Sequence, residues 1–334
     1  MKRFLFFWLL LCLPVLASLT VYVIIDPFKV VGKYDNYYES TDFVSVNRGY
    51  VSAMHFINTK GSRCYNSFIF GNSRSIAFHE KEWKQYISQS AVCYHFDEFV
   101  GSVGHLYYEI NYVSHNCSID NALIILDPSM LSRTTFNGHL YSLCPALNDN
   151  HDYFKFHLEC YKAFYNGSFL RAFVDYVLHG EYKPYMADYI INKDWRRGYD
   201  PTNNEMCWIK QEESIERGDY YDARRIETFN NIQFPDSVYA SAINDERMEL
   251  LLSIKQLLNE KHTDYRIVLG PGYNQIKVNP NDLKILYNVF GESCVYDFTG
   301  VNQWTEDYHN YYDNSHYRTC VANDIMRSVY SDKP

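Results

Sequence analysis

The sequence predicts an α/β fold, a three-layer, doubly wound parallel sheet. Two observations predict it. Five short apolar runs, near residues 67–71, 91–96, 122–127, 265–269 and 294–298, have the length of strands rather than helices. Between them lie segments whose apolar residues recur at spacings of three and four, as in MELLLSIKQLLNE. Strands alternating with helices make parallel units whose sheet is buried on both faces. Right-handed crossovers then make 2-1-3-4-5 the economical strand order.

The apolar spacing places helices over residues 79–89, 102–115, 237–261, 279–290 and 317–330. The first run ends in Gly71-Asn72-Ser73, the third in Asp127-Pro128 and the fourth in Gly270-Pro271-Gly272. These are turn signals, and the glycines at 270 and 272 are expected to supply positive φ. The interval from about 135 to 235 departs from the alternation. It is Tyr-rich, with helices expected at 151–165 and 168–179 and polar loop after them. It reads as a helical insertion between the third and fourth strands.

Lys2 and Arg3 precede a run from Phe4 to Ile25 without a single charge, 22 residues in all. As a helix it spans about 33 Å, enough for a hydrocarbon core of about 30 Å. The leading positive charges favour a cytoplasmic N-terminus and an external remainder. Val15-Leu16-Ala17 is a tolerable signal-peptidase site, yet the apolar run continues eight residues past it. The favoured division is a transmembrane anchor at 1–26, a juxtamembrane connector at 27–60, and one α/β domain at 61–334 carrying the insertion. The chain is then a single-pass membrane protein with its main domain periplasmic or extracellular.

Composition narrows the partners. Lys and Arg total 31 against 40 Asp and Glu, a net charge of −9, which argues against nucleic acid. Aromatic residues make up 17%, with 32 Tyr, whose flat faces and polar rims suit sugar rings or a protein interface as well as a core. Of nine Cys, eight follow the apolar run, an even number that permits disulfides in an exported domain. No CxxC or HExxH occurs, so neither a metal nor a cofactor is expected.

Ligands of open α/β sheets bind beyond the C-terminal strand ends. Two segments there carry chemistry. Ser73 follows the first strand, with Gly71 permitting the tight turn and backbone N–H groups beyond it available to an oxyanion. Asp313 and His316 follow the last strand, and at a spacing of three the carboxylate can orient the imidazole. Singly, each reads as a cap or a surface residue. Together, on one rim, they supply nucleophile, base and orienter.

This arrangement resembles the SGNH/GDSL hydrolase superfamily. Gly71-Asn72-Ser73 matches its first block, with Asn72 where Asp is commoner, and Asp313-Asn-Ser-His316 matches its last, D-x-x-H. The ending YYDNSHYR, with an apolar segment followed by Asp-Pro, is similar to bacterial membrane-anchored proteins of that superfamily in cell-surface polysaccharide systems. The resemblance covers residues 62–130 and 262–330. It implies Ser73 as nucleophile, His316 as base and Asp313 behind it. It also implies an oxyanion glycine, for which Gly101 and Gly104 are both candidates. The family's third block supplies an Asn near the end of strand three. Here Asp127 stands instead, with Asn137 ten residues on, so another donor is needed. Arg74 is a candidate for that role or for pairing with a carboxylate or substrate.

The expected function is that of an extracytoplasmic serine esterase or O-acyltransferase acting on acyl groups, acetyl above all, of cell-envelope polysaccharide. The alternative is a catalytically inactive glycan-binding or scaffold protein of an envelope complex. Expected partners are the membrane, an acylated saccharide and envelope proteins.

Overall fold

The computed structural model describes residues 2–39, 44–148, 152–187, 189–190, 198–232 and 237–331, and for residues 2–11 the backbone alone. Helix α1 (Lys2–Ile25) leads into α2 (Arg48–Arg63). There follow β1 (Ser67–Asn72), α3 (Glu80–Trp83), β2 (Cys93–Glu98), α4 (Val103–Asn116) and β3 (Asn121–Leu126). The insertion holds α5 (Tyr153–Phe164), α6 (Gly167–His179), a hairpin of β4 (Tyr199–Asp200) and β5 (Glu205–Met206), α7 (Ile209–Arg217) and α8 (Ala223–Asn230). The chain closes with α9 (Asp245–Glu260), β6 (Asp264–Leu269), α10 (Pro280–Phe290), β7 (Val295–Asp297) and α11 (Thr319–Tyr330).

Five strands form one parallel sheet in the order β2-β1-β3-β6-β7, with Phe70 opposite both Phe96 and Ile124. The expected order 2-1-3-4-5 counted five strands in the chain. Two further short strands, β4 and β5, intervene and pair only with each other, antiparallel, so the numbering of the order differs. Their two-residue length leaves no apolar run to read.

Alternation along each strand divides the core. Phe68 and Phe70 of β1, with Ala122, Ile124 and Leu126 of β3, face one layer, where Leu106 and Ile110 of α4 and Leu251 and Ile254 of α9 cover them. Ile69, Leu123 and Ile125 face the other, beneath Val321, Ile325 and Val329 of α11. A third cluster belongs to the insertion, where Phe164, Phe169 and Phe173 pack with Phe28, Tyr50 and Val51.

Several expectations shift. The helix expected over 79–89 shrinks to Glu80–Trp83, beyond which the Gln85 and Tyr86 N–H groups bond three residues back, to the Glu82 and Trp83 carbonyls at 3.2 and 2.9 Å, as tight turns. That over 237–261 begins only at Asp245, where Asn244 caps it, and Val238 instead bridges to Lys277. The stretch after residue 179, expected as polar loop, carries the hairpin, α7 and α8. Within the connector, α2 packs into the domain, burying Arg48, Ser52 and Phe56 against the sheet. All nine cysteines are free thiols. Tyrosine goes largely into the core, with Tyr37, Tyr94, Tyr311, Tyr312 and Tyr317 all fully buried. Neither Gly270 nor Gly272 is among the positive-φ residues; at Gly270 a Cβ would lie 2.8 Å from the Tyr317 hydroxyl, and at Gly272 2.8 Å from Asn274 Oδ1.

The expected anchor falls in part on side chains outside the described residues. Among the described residues, no helix is long and apolar enough to cross a membrane.

Candidate active site

Strand β1 delivers Ser73 to the C-terminal rim. The turn beyond it is tied down locally: the Arg74 N–H donates to Asn72 Oδ1 at 3.0 Å, and Ser75 Oγ donates to the Asn72 carbonyl at 2.8 Å. Gly71 is required there, because a Cβ would meet Ser75 Cβ at 2.8 Å and the Ile125 carbonyl at 3.0 Å. The N–H groups expected of a following helix come from a single 3₁₀ turn, Ser75–Ala77.

Asp313 and His316 sit in the loop of a small hairpin. Tyr311 bridges to Tyr317, and the Tyr312 N–H donates to the His316 carbonyl at 2.8 Å. Inside the loop, Asp313 Oδ1 accepts from the backbone N–H of Ser315 at 2.7 Å and of His316 at 2.9 Å. The buried rings of Tyr311, Tyr312 and Tyr317 fix the loop's base to the core.

The two rim segments meet although 243 residues separate them in sequence. Ser73 Oγ lies 2.8 Å from His316 Nε2. His316 Nδ1 lies 2.8 Å from Asp313 Oδ2 and 2.9 Å from Oδ1. A carboxylate accepts Nδ1–H, which leaves the Nε2 lone pair toward the serine hydroxyl. Burial works to raise the Asp313 carboxyl, but the bonds from His316 and the two N–H groups outweigh it and hold the carboxyl below its usual value.

The insertion reaches into this site, which no local pattern announced. The indole of Trp208 lies over His316, ring centroids 5.2 Å apart, and equally close to Tyr312. Glu212 of α7 accepts from the Tyr312 hydroxyl at 2.6 Å and from Arg318 at 2.6 and 3.0 Å. Tyr220 and Tyr221 donate to the carbonyls of Tyr312 and Tyr311. Trp208 and Glu212 are about a hundred residues from the loop they hold, and on an amphipathic helix Glu212 reads as an ordinary surface residue. An aromatic face stabilises an adjacent cation by about 0.5–2 kcal/mol. Trp208→Leu should therefore lower kcat roughly 2- to 30-fold with KM little changed, and Trp208→Phe should keep most of the rate. Steady-state kinetics on a model ester checks this, and a change confined to KM would contradict it.

The remaining sequence candidates separate. Arg74 forms an ion pair with Asp127, both nearly buried, and Asp127 Oδ1 also accepts the Ser129 N–H at 2.6 Å. Arg74 is thus a carboxylate partner, and it neutralises the charge that would otherwise oppose an oxyanion at Asp127. A Cβ on Gly101 would lie 2.7 Å from Met130 Cε and 3.3 Å from Asn72 Cβ, placing Gly101 beside the residue before Ser73. Gly104 instead lies under the 130s loop, where a Cβ would meet the Thr134 carbonyl at 2.0 Å. Its smallness serves packing. Asn137 is exposed and lines a cleft with Tyr108 and Lys155. A second cleft of about 290 Å³ opens beside Asp313, lined by Arg224, Arg225, Thr228, Phe229 and Asn314.

Away from Ser73 and His316, His79 ties the β4–β5 hairpin to the core. His79 Nδ1 lies 3.5 Å from both Cys207 Sγ and Glu205 Oε1, and Nε2 lies 3.2 Å from Thr319 Oγ1. Burial pushes the imidazole down, but Cys207 and Glu205 outweigh it and raise the pKa from 6.5 to about 10. The folded state therefore binds the proton more tightly. The stability it contributes is complete below about pH 6.5 and is lost as the pH rises towards about 10. Melting of wild type and His79→Gln across that range should show a gap that closes with rising pH; a constant gap would refute the charged assignment.

Among the described residues, no group of His, Cys, Asp and Glu could hold a metal ion. No protein-family model matches the chain, and no curated protein matches it.

Proposed function

We propose that the protein is a membrane-anchored, extracytoplasmic serine esterase or O-acyltransferase of the SGNH type, acting on acylated cell-envelope polysaccharide. The observation that carries this reading is the 2.8 Å approach of Ser73 Oγ to His316 Nε2, with Asp313 on the far nitrogen. His316 takes the serine proton as Oγ attacks the ester carbonyl, and Asp313 stabilises the imidazolium. Collapse of the tetrahedral adduct expels the alcohol, which takes the proton back from His316. Water or a sugar hydroxyl then attacks the acyl-enzyme by the same route, so hydrolysis and transfer differ only in the acceptor. The Gly101 N–H serves as the oxyanion donor in this scheme. The cleft beside Asp313, lined by guanidinium, carboxylate, hydroxyl and amide groups, suits the hydroxyls of a glycan. The external placement rests on the uncharged run 4–25 behind Lys2 and Arg3.

The scaffold reading has one observation of its own: Asp127, bound to Arg74, stands where an Asn donor is expected. A fluorophosphonate probe decides between them. Labelling of the full-length protein that disappears in Ser73→Ala supports the enzyme; no labelling, together with glycan binding, supports the scaffold.

A further inference from the structure

Of the described side chains of α1, only Ser18 and Tyr22 are withdrawn from solvent, and both face the insertion. Ser18 Oγ is 2.7 Å from the Tyr161 hydroxyl, and its carbonyl accepts from Tyr165 at 2.6 Å. The Tyr22 ring packs on Tyr161 and Phe164 at 5.7 and 5.9 Å, and just past the helix Phe28 packs on Phe169 at 5.2 Å. The corner between α5 and α6 is therefore seated on the last two turns of α1. The rest of that stretch is open and apolar at Leu16, Leu19, Val23 and Ile24, and the one exposed polar side chain there, Thr20, donates its hydroxyl to the Leu16 carbonyl at 2.8 Å. About 20 residues of the uncharged run are needed to cross a hydrocarbon core. Ser18 and Tyr22 lie in the last eight of its 22 residues, so whatever is docked on them sits at the depth of the outer boundary.

Helix α6 carries a matching surface. Arg171, Val174, Val177 and Leu178 share one exposed stripe, with Leu178 73% and Val177 56% exposed. Tyr182 and Tyr185 continue it, and Arg171 lies over the Tyr185 ring at 5.0 Å. Residues 153–183 carry four Lys or Arg against three Asp or Glu, in a chain whose net charge is −9. An apolar stripe bordered by Tyr and cations is the pattern of a helix lying in a bilayer interface.

We propose that α6 is a second membrane contact, lying in the outer interface beside α1, with Val174, Val177 and Leu178 against the acyl chains and Arg171, Tyr182 and Tyr185 among the headgroups. The inference rests on the anchor reading and goes beyond it. It gives the domain a fixed orientation on the bilayer rather than a swivelling tether.

The test uses the full-length protein in phosphatidylethanolamine–phosphatidylglycerol nanodiscs. p-Benzoylphenylalanine replaces, one at a time, Leu16, Val174, Val177, Leu178 and, as an exposed apolar control on α9, Leu252. After irradiation, mass spectrometry reads covalent lipid. The expected result is a mass increase of one phospholipid at position 16 and at the α6 positions, and none at 252. Adducts at 16 without any on α6, or adducts at 252 as abundant as at 178, overturn the inference while leaving the anchor. No adduct at 16 overturns the anchor and this inference with it.

Discussion

Ser73→Ala and His316→Ala are each expected to reduce ester turnover by about 10³-fold or more. The serine must lose its proton as it attacks, and His316 Nε2, at 2.8 Å, is the group placed to take it. Without the hydroxyl there is no covalent intermediate; without the imidazole the hydroxyl is a weak nucleophile. The double variant should be hardly slower than either single one, because the pair acts as a unit. Asp313→Ala should cost less if hairpin backbone groups still orient the ring. It should also loosen the loop, since Asp313 Oδ1 accepts two backbone N–H groups. Ser73 and His316 are rim positions, so these variants should melt close to wild type. Full activity of Ser73→Ala on a model ester would end the mechanism.

Asp97→Ala is expected to destabilise the fold by about 3–5 kcal/mol, because it strands a buried guanidinium. Arg48 is 1% exposed. Its Nε donates to Asp97 Oδ2 at 2.8 Å and its second amino group to Oδ1 at 2.5 Å. Arg48 also donates to Asn204 Oδ1 at 3.0 Å, while the Asn204 amide donates to Ser52 Oγ at 2.9 Å and to the His95 carbonyl at 2.7 Å. Asn204 itself has φ 65°. One network thus joins α2, β2 and the insertion hairpin. Removing the carboxylate leaves the charge desolvated and only partly bonded. The double variant Arg48→Met, Asp97→Leu should recover much of the loss, since neither charge then has to be buried. Denaturant unfolding of the three variants measures this, and a loss in Asp97→Ala below about 1 kcal/mol would show that water reaches the pair.

How much of this was legible follows from the range of the forces involved. The sheet's strands could be read because burial on both faces demands near-continuous apolar runs such as ALIIL, a signal contained in five or six residues. The rim segments could be read for the same reason: Gly71-Asn72-Ser73 and Asp313-x-x-His316 each follow a run within a few residues or close the last loop. Element lengths were less legible. α3 gives way after one turn to tight turns at Gln85 and Tyr86, and Asn244 starts α9 late by capping it. β4 and β5 were invisible because two residues carry no period.

What the sequence determined by itself is the local grammar: which stretches are the strands of the sheet and most of the helices between them, the uncharged run at 4–25, and the spacing that lets Asp313 reach His316. What only the tertiary structure decided is which distant groups share that rim. The approach of Ser73 to His316, the pairing of Arg74 with Asp127, and the seating of Trp208 and Glu212 on the hairpin of Asp313 and His316 all depend on how the sheet and the insertion pack. The reason is physical. A hydrogen bond or ring contact acts over a few ångströms of space, whatever the separation along the chain, and a single sequence records only the latter.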